Sequence, residues 1–320
     1  MLIYHLSEFL KITKSVQNVA LWGNEEHFGK ECLKAFCHGL KVNTSVQVLN
    51  LGDNGLGLKK NSIKGICKAL RMNHTLTTLN LGGNKLGVSA KNLKAITKLM
   101  KINNTIQYLG LGSNVLGHSS DCMKLLCDMI KNNKTLISIG LPSNALSDDL
   151  DIMKQLCDAL NANRTLLNLN LEYNTFGKNF VTFKLFCQTL RNQNVLKSVD
   201  LGNNFLGEKL INLELLCDTL VINKGLRNLG LGSNLIGKCK DGLKTLFEAL
   251  KQNGRIETIE LDGNGLIEVG EELKNLEDVF KKSKALNSVS MGDNQLERNK
   301  ELCTFLMELE KKYGLSLKIL

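Results

Sequence analysis

Leu76-Thr-Thr-Leu-Asn-Leu-Gly-Gly-Asn-Lys-Leu86 places three leucines in fixed register before Asn84 and a fourth two residues after it. The same spacing, L-x-x-L-x-L-x-x-N-x-L, recurs around Asn24, Asn54, Asn114, Asn144, Asn174, Asn204, Asn234, Asn264 and Asn294, each step being 30 residues. Every asparagine except Asn24 is followed two places later by an apolar residue, for example Leu116 or Phe176. Alternation around the last two leucines has the period of a half-buried strand. The second half of each unit changes period: Leu93, Ile96 and Met100, or Leu213, Leu216 and Leu220, recur at helical spacing.

Each unit therefore reads as strand, loop, helix of about 12 residues and short return. Neither half can bury its apolar side alone, whereas stacking closes both. A second set of asparagines, Asn43, Asn73, Asn103, Asn133, Asn163, Asn223 and Asn253, follows the helices and predicts left-handed helix stops there. The first set is expected to satisfy loop amides and carbonyls that no sheet ladder reaches.

The expected architecture is α/β: a right-handed solenoid, or horseshoe, of 30-residue repeats with a parallel sheet on the concave face and helices on the convex face. Residues 1–320 read as a single domain. Residues 1–15 form a helical cap, from Ile3, Leu6 and Leu10 matching Leu33, Phe36 and Leu40. Residues 16–314 supply ten repeats, with a last helix around Leu302 to Leu309, and residues 315–320 a terminal strand from Leu315, Leu317 and Ile319.

Leu109-Gly-Leu-Gly-Ser-Asn-Val-Leu-Gly117 followed by Met123 to Leu136 resembles the ribonuclease-inhibitor-like class of leucine-rich repeats, and the resemblance covers nearly the whole chain. It implies the fold and a protein-binding role. The class includes enzyme inhibitors, innate immune sensors and bacterial effectors. The chain lacks the nucleotide-binding or signalling domain of the sensors and the catalytic domain of bacterial leucine-rich-repeat ubiquitin ligases. Its lysine- and asparagine-rich, uninterrupted form is similar to solo leucine-rich-repeat effectors that intracellular bacteria such as Legionella inject into host cells.

Composition narrows the function. No stretch is long and apolar enough to span a membrane, and His5, Ser7 and Glu8 interrupt the N-terminal segment, so no secretory signal is expected. Six of the ten cysteines occupy one repeat position, Cys37, Cys67, Cys127, Cys157, Cys187 and Cys217. Neighbouring helices pack about 8–10 Å apart, too far for adjacent cysteines to bond. Buried, reduced thiols and a cytoplasmic location, or a host cytosol after bacterial secretion, follow as expectations; Cys239, in a loop, is the thiol expected to be accessible. Cys37, His38 and His27 are sequential rather than convergent, so no metal site is expected. Glycosylation-type triplets at Asn43, Asn73, Asn103, Asn133 and Asn163 coincide with the helix stops. No nucleophile, phosphate loop or paired carboxylate stands outside the repeat consensus, so neither catalytic residues nor a cofactor are expected.

The net charge of +10 lies mainly in lysines on helices and loops, such as Lys60, Lys64 and Lys68. Strand positions that face outward form three columns, beginning at Asn18, Ala20 and Trp22 and advancing by 30. None of these positions is Lys or Arg, while Glu172, Asp200, Glu260 and Asp262 are acidic. Nucleic acid on that face is disfavoured, because phosphate binding needs clustered cations. Most of the columns are small residues, so departures from smallness are the candidate contacts: Trp22, Tyr108, Pro142 and Glu172, with Tyr173 at the loop edge. Lys197, Arg227 and Glu257 line the strand entrances, and Arg227 joins the candidate set. The expected function is that of a monomer whose concave face binds, and regulates or inhibits, a protein with a neutral or basic surface. The alternative is a scaffold or adaptor acting through its convex face or solenoid ends.

Overall fold

A computed structural model describes residues 2–314 and 316–318, with side chains from His5 onward. Contacts divide the chain into two units, Met1–Leu146 with Lys154–Leu166, and Ser147–Met153 with Leu167–Leu320. One boundary falls between Met153 and Lys154, within the helix Leu150–Ala162.

The first unit alternates three-residue strands with helices: α1 Leu2–Ile12, β1 Asn18–Ala20, α2 Lys30–Val42, β2 Val48–Asn50, α3 Ser62–Leu70, β3 Thr78–Asn80, α4 Ala90–Met100, β4 Tyr108–Gly110, α5 Ser120–Asn132, β5 Ser138–Gly140, and, from Lys154 onward, α6 Leu150–Ala162. Strands β1 to β5 pair in parallel with a register of 30 residues, as in Thr78 opposite Tyr108. The second unit repeats the scheme: β6 Asn168–Asn170, α7 Phe180–Asn192, β7 Ser198–Asp200, α8 Leu210–Ile222, β8 Asn228–Gly230, α9 Lys240–Asn253, β9 Thr258–Glu260, α10 Gly270–Leu273, α11 Leu276–Lys282, β10 Ser288–Ser290, α12 Lys300–Tyr313 and β11 Ser316–Lys318. Strands β6 to β11 again pair in parallel in chain order. This is the α/β leucine-rich-repeat solenoid that the 30-residue period predicts.

The register explains the core. Leu76, Leu79, Leu81 and Leu86 are all at most 1% exposed, as are Leu93, Ile96 and Leu99 on the facing helix. Leu10 of α1 is fully buried, as a cap requires, while Leu6 is half-buried and the Ile3 side chain lies outside the described residues. Leu317 of β11 is buried, whereas Leu315 and Ile319 lie outside the described residues.

The repeating asparagines close each loop. Asn84 Oδ1 accepts from the amides of Asn54 and Leu56 in the preceding coil, both at 3.1 Å. Its Nδ2 donates to the carbonyls of Leu51 (2.8 Å), Leu81 and Gly82 (3.0 Å each). Asn114 in the first unit and Asn204 in the second repeat this set of bonds.

The second asparagine set departs from the left-handed stop that its position suggests. Asn43 has φ −69° and ψ 136°, Asn133 −73° and 139°, and Asn223 −64° and 129°, all extended. The chain leaves the helix in extended geometry there, through a five-residue return to the next strand, and the side chain does the capping. Asn73 Nδ2 donates to the carbonyls of Leu40 and Asn43, and its Oδ1 accepts from the amides of Thr75 and Leu76. Left-handed torsions occur beside the first set, as at Lys85 (φ 56°) and at Ser113 and Val115 (φ 53° each), and after Asn253 the stop is left-handed at Gly254 (φ 61°). The helix of the repeat after β9 is broken into α10 and α11. Asn275 lies at the break and bonds the Glu272 carbonyl with its own side chain, which competes with the helix ladder.

Candidate functional site

Strand alternation turns one side chain of each three-residue strand inward and two outward. Thus Leu79 is buried while Thr78 and Asn80 remain partly exposed on the open side of the sheet. All the candidate contact residues lie on this open side or at its edges, and each unit carries its own set.

In the first unit Trp22 and Tyr108 are exposed and Pro142 is half-buried. The Trp22 ring lies over Gly52, where a β-carbon would come within 2.8 Å of its Cδ1. Pro142 lies over Gly112 in the same way, with its Cγ 2.7 Å from the position of an added β-carbon. The small residues of one coil therefore seat the large residue of its neighbour. Tyr108, at the start of β4, stands without such a seat.

The second unit carries the acidic residues. Asn170 on β6 organises two of them: its Nδ2 donates to Glu172 Oε2 (2.7 Å) and to Asp200 Oδ2 (3.2 Å), and its Oδ1 accepts from the Glu172 amide (3.0 Å). Asp200 Oδ1 accepts from the Gly202 amide at 2.9 Å. Asn50 and Asn80 make the same bond to Gly52 and Gly82. Asp200 thus occupies a position that asparagine fills in three other coils, at Asn50, Asn80 and Asn170. Burial pushes its pKa up to about 6, with the nearby Glu172 and Glu260 adding to the rise and the Gly202 amide opposing it. Asp262 accepts from Ser290 Oγ (2.5 Å) and the Gly292 amide (2.7 Å). Among the described residues none of Glu172, Asp200, Glu260 and Asp262 forms an ion pair with a lysine or arginine.

Arg227 sits apart from this group. It pairs with Glu257 at 3.2 Å and donates to the carbonyls of Lys224, Gly225 and Leu226, so its guanidinium closes its own return loop. Tyr173 is exposed at a left-handed loop position, φ 54°. Asn170 escaped the sequence reading because Asn50 and Asn80 share its column; its pairing with two carboxylates is visible only in three dimensions.

The cysteines carry free thiols. Cys67 and Cys127 are buried and their pKa values are pushed up to about 12, which leaves them protonated. Cys37 of the same column is only half-buried, with its pKa pushed up to about 11 by desolvation. Cys239, expected in a loop, is half-buried immediately before α9. Asn43, Asn73, Asn103, Asn133 and Asn163, the glycosylation-type asparagines, are buried. Among the described residues no group of three or more His, Cys, Asp or Glu is placed to hold a metal ion. Among them, too, no helix is long and apolar enough to cross a membrane.

No family model matches the chain, and no curated protein matches it in sequence. Solved structures do. A chain from the Rad7 and Elc1 complex of yeast is similar with a TM-score of 0.55 and 14% identity, over 98% of this chain and 77% of that one. Leiomodin-1 actin-binding site 2 is similar at a TM-score of 0.39 and 20% identity, over 49% of this chain and 87% of that one. A chain of the TLR13–ssRNA13 complex is similar at 0.42 and 15%, over 79% of this chain and 36% of that one. The yeast likeness supports the fold; at these identities none of the three reaches as far as a partner.

Proposed function

We propose that this chain is a single ten-repeat domain that binds a protein partner on the open side of its sheet, with no catalytic step of its own. Asp200 is the observation that carries the reading. A half-buried carboxylate with a raised pKa stands where Asn50, Asn80 and Asn170 stand in three other coils, and among the described residues no lysine or arginine forms an ion pair with it. On a chain of net charge +10, unpaired carboxylates on this face suit a basic segment of another protein. In the first unit Trp22 and Tyr108 serve as aromatic anchors together with Pro142, and in the second Tyr173 does so; aromatic anchors carry much of the energy of protein interfaces. Arg227 contributes by fixing its loop.

The finer form of the proposal is a monomeric regulator or inhibitor, possessing no cofactor, that resides in a cytosol and acts as a bacterial effector in the host. The ten free thiols support the reducing compartment. Affinity purification with mass spectrometry identifies the partner, and calorimetry then measures it. Tyr108→Ala with Tyr173→Ala should weaken binding at least roughly tenfold. Glu260→Lys with Asp262→Lys should slow association, and added salt should mask the difference. Unchanged affinity and unchanged rate in both double variants would remove the open side of the sheet from the function.

A further inference from the structure

The C-terminal ends of the first four helices carry an apolar row that the core does not use. Ile12 closes α1 and is 75% exposed; Val42 closes α2 and is 44% exposed. Met72 and Ile102 lie two residues beyond α3 and α4 and are 57% and 61% exposed. All four occupy one repeat position, 30 residues apart, so they line up across four successive coils of the first unit. The row stops at Asn132.

A row of cations runs beside it, one residue earlier in each coil: Lys11, Lys41, Arg71 and Lys101. Lys11 pairs with Glu8 at 2.5 Å, but among the described residues Lys41, Arg71 and Lys101 form no ion pair. Grooves open along the row. One of about 620 Å³ is lined by Lys11, Lys34, Lys41, Lys68 and Met72, with Glu8 and Glu31 also on its wall. Another, of about 500 Å³, is lined by Met100, Ile102 and Met129.

We propose that this edge is a second docking surface, separate from the open side of the sheet, and that its occupant is an acidic amphipathic helix of another protein lying across the helix ends. Charge chooses the occupant: the row of Lys41, Arg71 and Lys101, which form no ion pair among the described residues, calls for carboxylates next to the apolar contacts. Spacing agrees. Packed helices stand about 8–10 Å apart, and seven residues of an α-helix rise about 10.5 Å. A helix with an aliphatic residue at every seventh position would therefore meet Ile12, Val42, Met72 and Ile102 in turn, over about 20 residues.

The probe is a displayed library of helical peptides of about 20 residues, varied between aliphatic and polar at every seventh position and between Glu, Gln and Lys beside it, selected on the full chain. Selected peptides should carry aliphatics at seven-residue spacing flanked by Glu. By fluorescence anisotropy they should bind at least tenfold more weakly to Met72→Glu with Ile102→Glu, and equally to Glu260→Lys with Asp262→Lys. Lys41→Glu with Lys101→Glu should weaken them as well, so the proposal stays testable if one variant fails to fold, which circular dichroism reports. Selection without preference for Glu over Lys, or peptides indifferent to both edge variants, would overturn it. Flotation with phosphatidylcholine vesicles containing about one-fifth phosphatidylserine tests the other occupant of such a surface. Binding there that both edge variants abolish, with no peptide selected, would replace the helix by a membrane and overturn the proposal.

Discussion

Replacing Asn84 by alanine tests the asparagine ladder at its centre. The three carbonyls that Asn84 Nδ2 serves would each keep another donor: Leu51 retains Asn54 Nδ2 at 2.9 Å, Leu81 retains Asn114 Nδ2 at 3.0 Å, and Gly82 retains the Asp53 amide at 2.9 Å. The amides of Asn54 and Leu56 would not, because Asn84 Oδ1 is the acceptor for both. The side chain is fully buried, so water does not replace it without opening the coil. Two orphaned buried amides at about 1–3 kcal/mol each give a loss of about 2–6 kcal/mol. Unfolding in urea measures the total. Amide hydrogen exchange reads the site directly, and Asn54 and Leu56 should exchange at least roughly 30-fold faster, the equivalent of about 2 kcal/mol. Asn132→Ala, whose side chain bonds only an exposed carbonyl of its own helix, is the control. Unchanged protection at Asn54 and Leu56, with a total loss below about 0.5 kcal/mol, would refute the assigned role.

Two glycines should respond in opposite directions in thermal melts. A β-carbon at Gly87 would lie 2.5 Å from the Val115 carbonyl oxygen and 2.7 Å from that of Asn114, so Gly87→Ala should destabilise by about 1–3 kcal/mol. At Gly65 inside α3 it would meet only Cys37 Sγ at 3.6 Å, and Gly65→Ala should stabilise by about 0.5–1 kcal/mol. Val115 is β-branched at φ 53°, a position that Gly55 and Gly265 fill in other coils, so Val115→Asn should raise stability by about 1 kcal/mol. Folding lifts the Asp200 pKa from 3.8 to about 6, so the folded state holds the proton more tightly and ionisation costs stability as pH rises through that window. Asp200→Asn should therefore gain on the parent from about pH 4 to pH 7 and plateau above; a pH-independent difference in urea midpoints would refute this.

The fold was legible because one period sets both strand and helix. Leu79 and Leu81 alternate with outward residues while Leu93 and Ile96 keep helical spacing, and neither reading needs knowledge of a partner. The backbone of Asn73 and its equivalents was not legible, since asparagine suits both a left-handed stop and a side-chain cap; only the position of the neighbouring coil's carbonyls decides between them. At the candidate site the acidic positions could be read from the columns, because a strand's outward residues follow from its period. The weight of Asp200 could not, as it depends on burial and on the Asn170 amide between two carboxylates. Nor could the fate of Arg227, whose guanidinium turns to carbonyls on its own loop.

The direction of the asparagine bonds gives synthesis a rhythm. Asn84 closes the amides of Asn54 and Leu56, and Asn114 closes those of Asn84 and Leu86. Within a unit, a loop is sealed only by the side chain that follows it 30 residues later. At about 5–20 residues per second, a freshly made coil waits roughly 2–6 seconds with its loop amides open while the ribosome supplies their acceptor. During that interval the newest coil is the weakest part of the emerging chain. A pause placed one repeat after a given asparagine would lengthen its exposure to chaperones and proteases, whereas the coils behind it would already be shut.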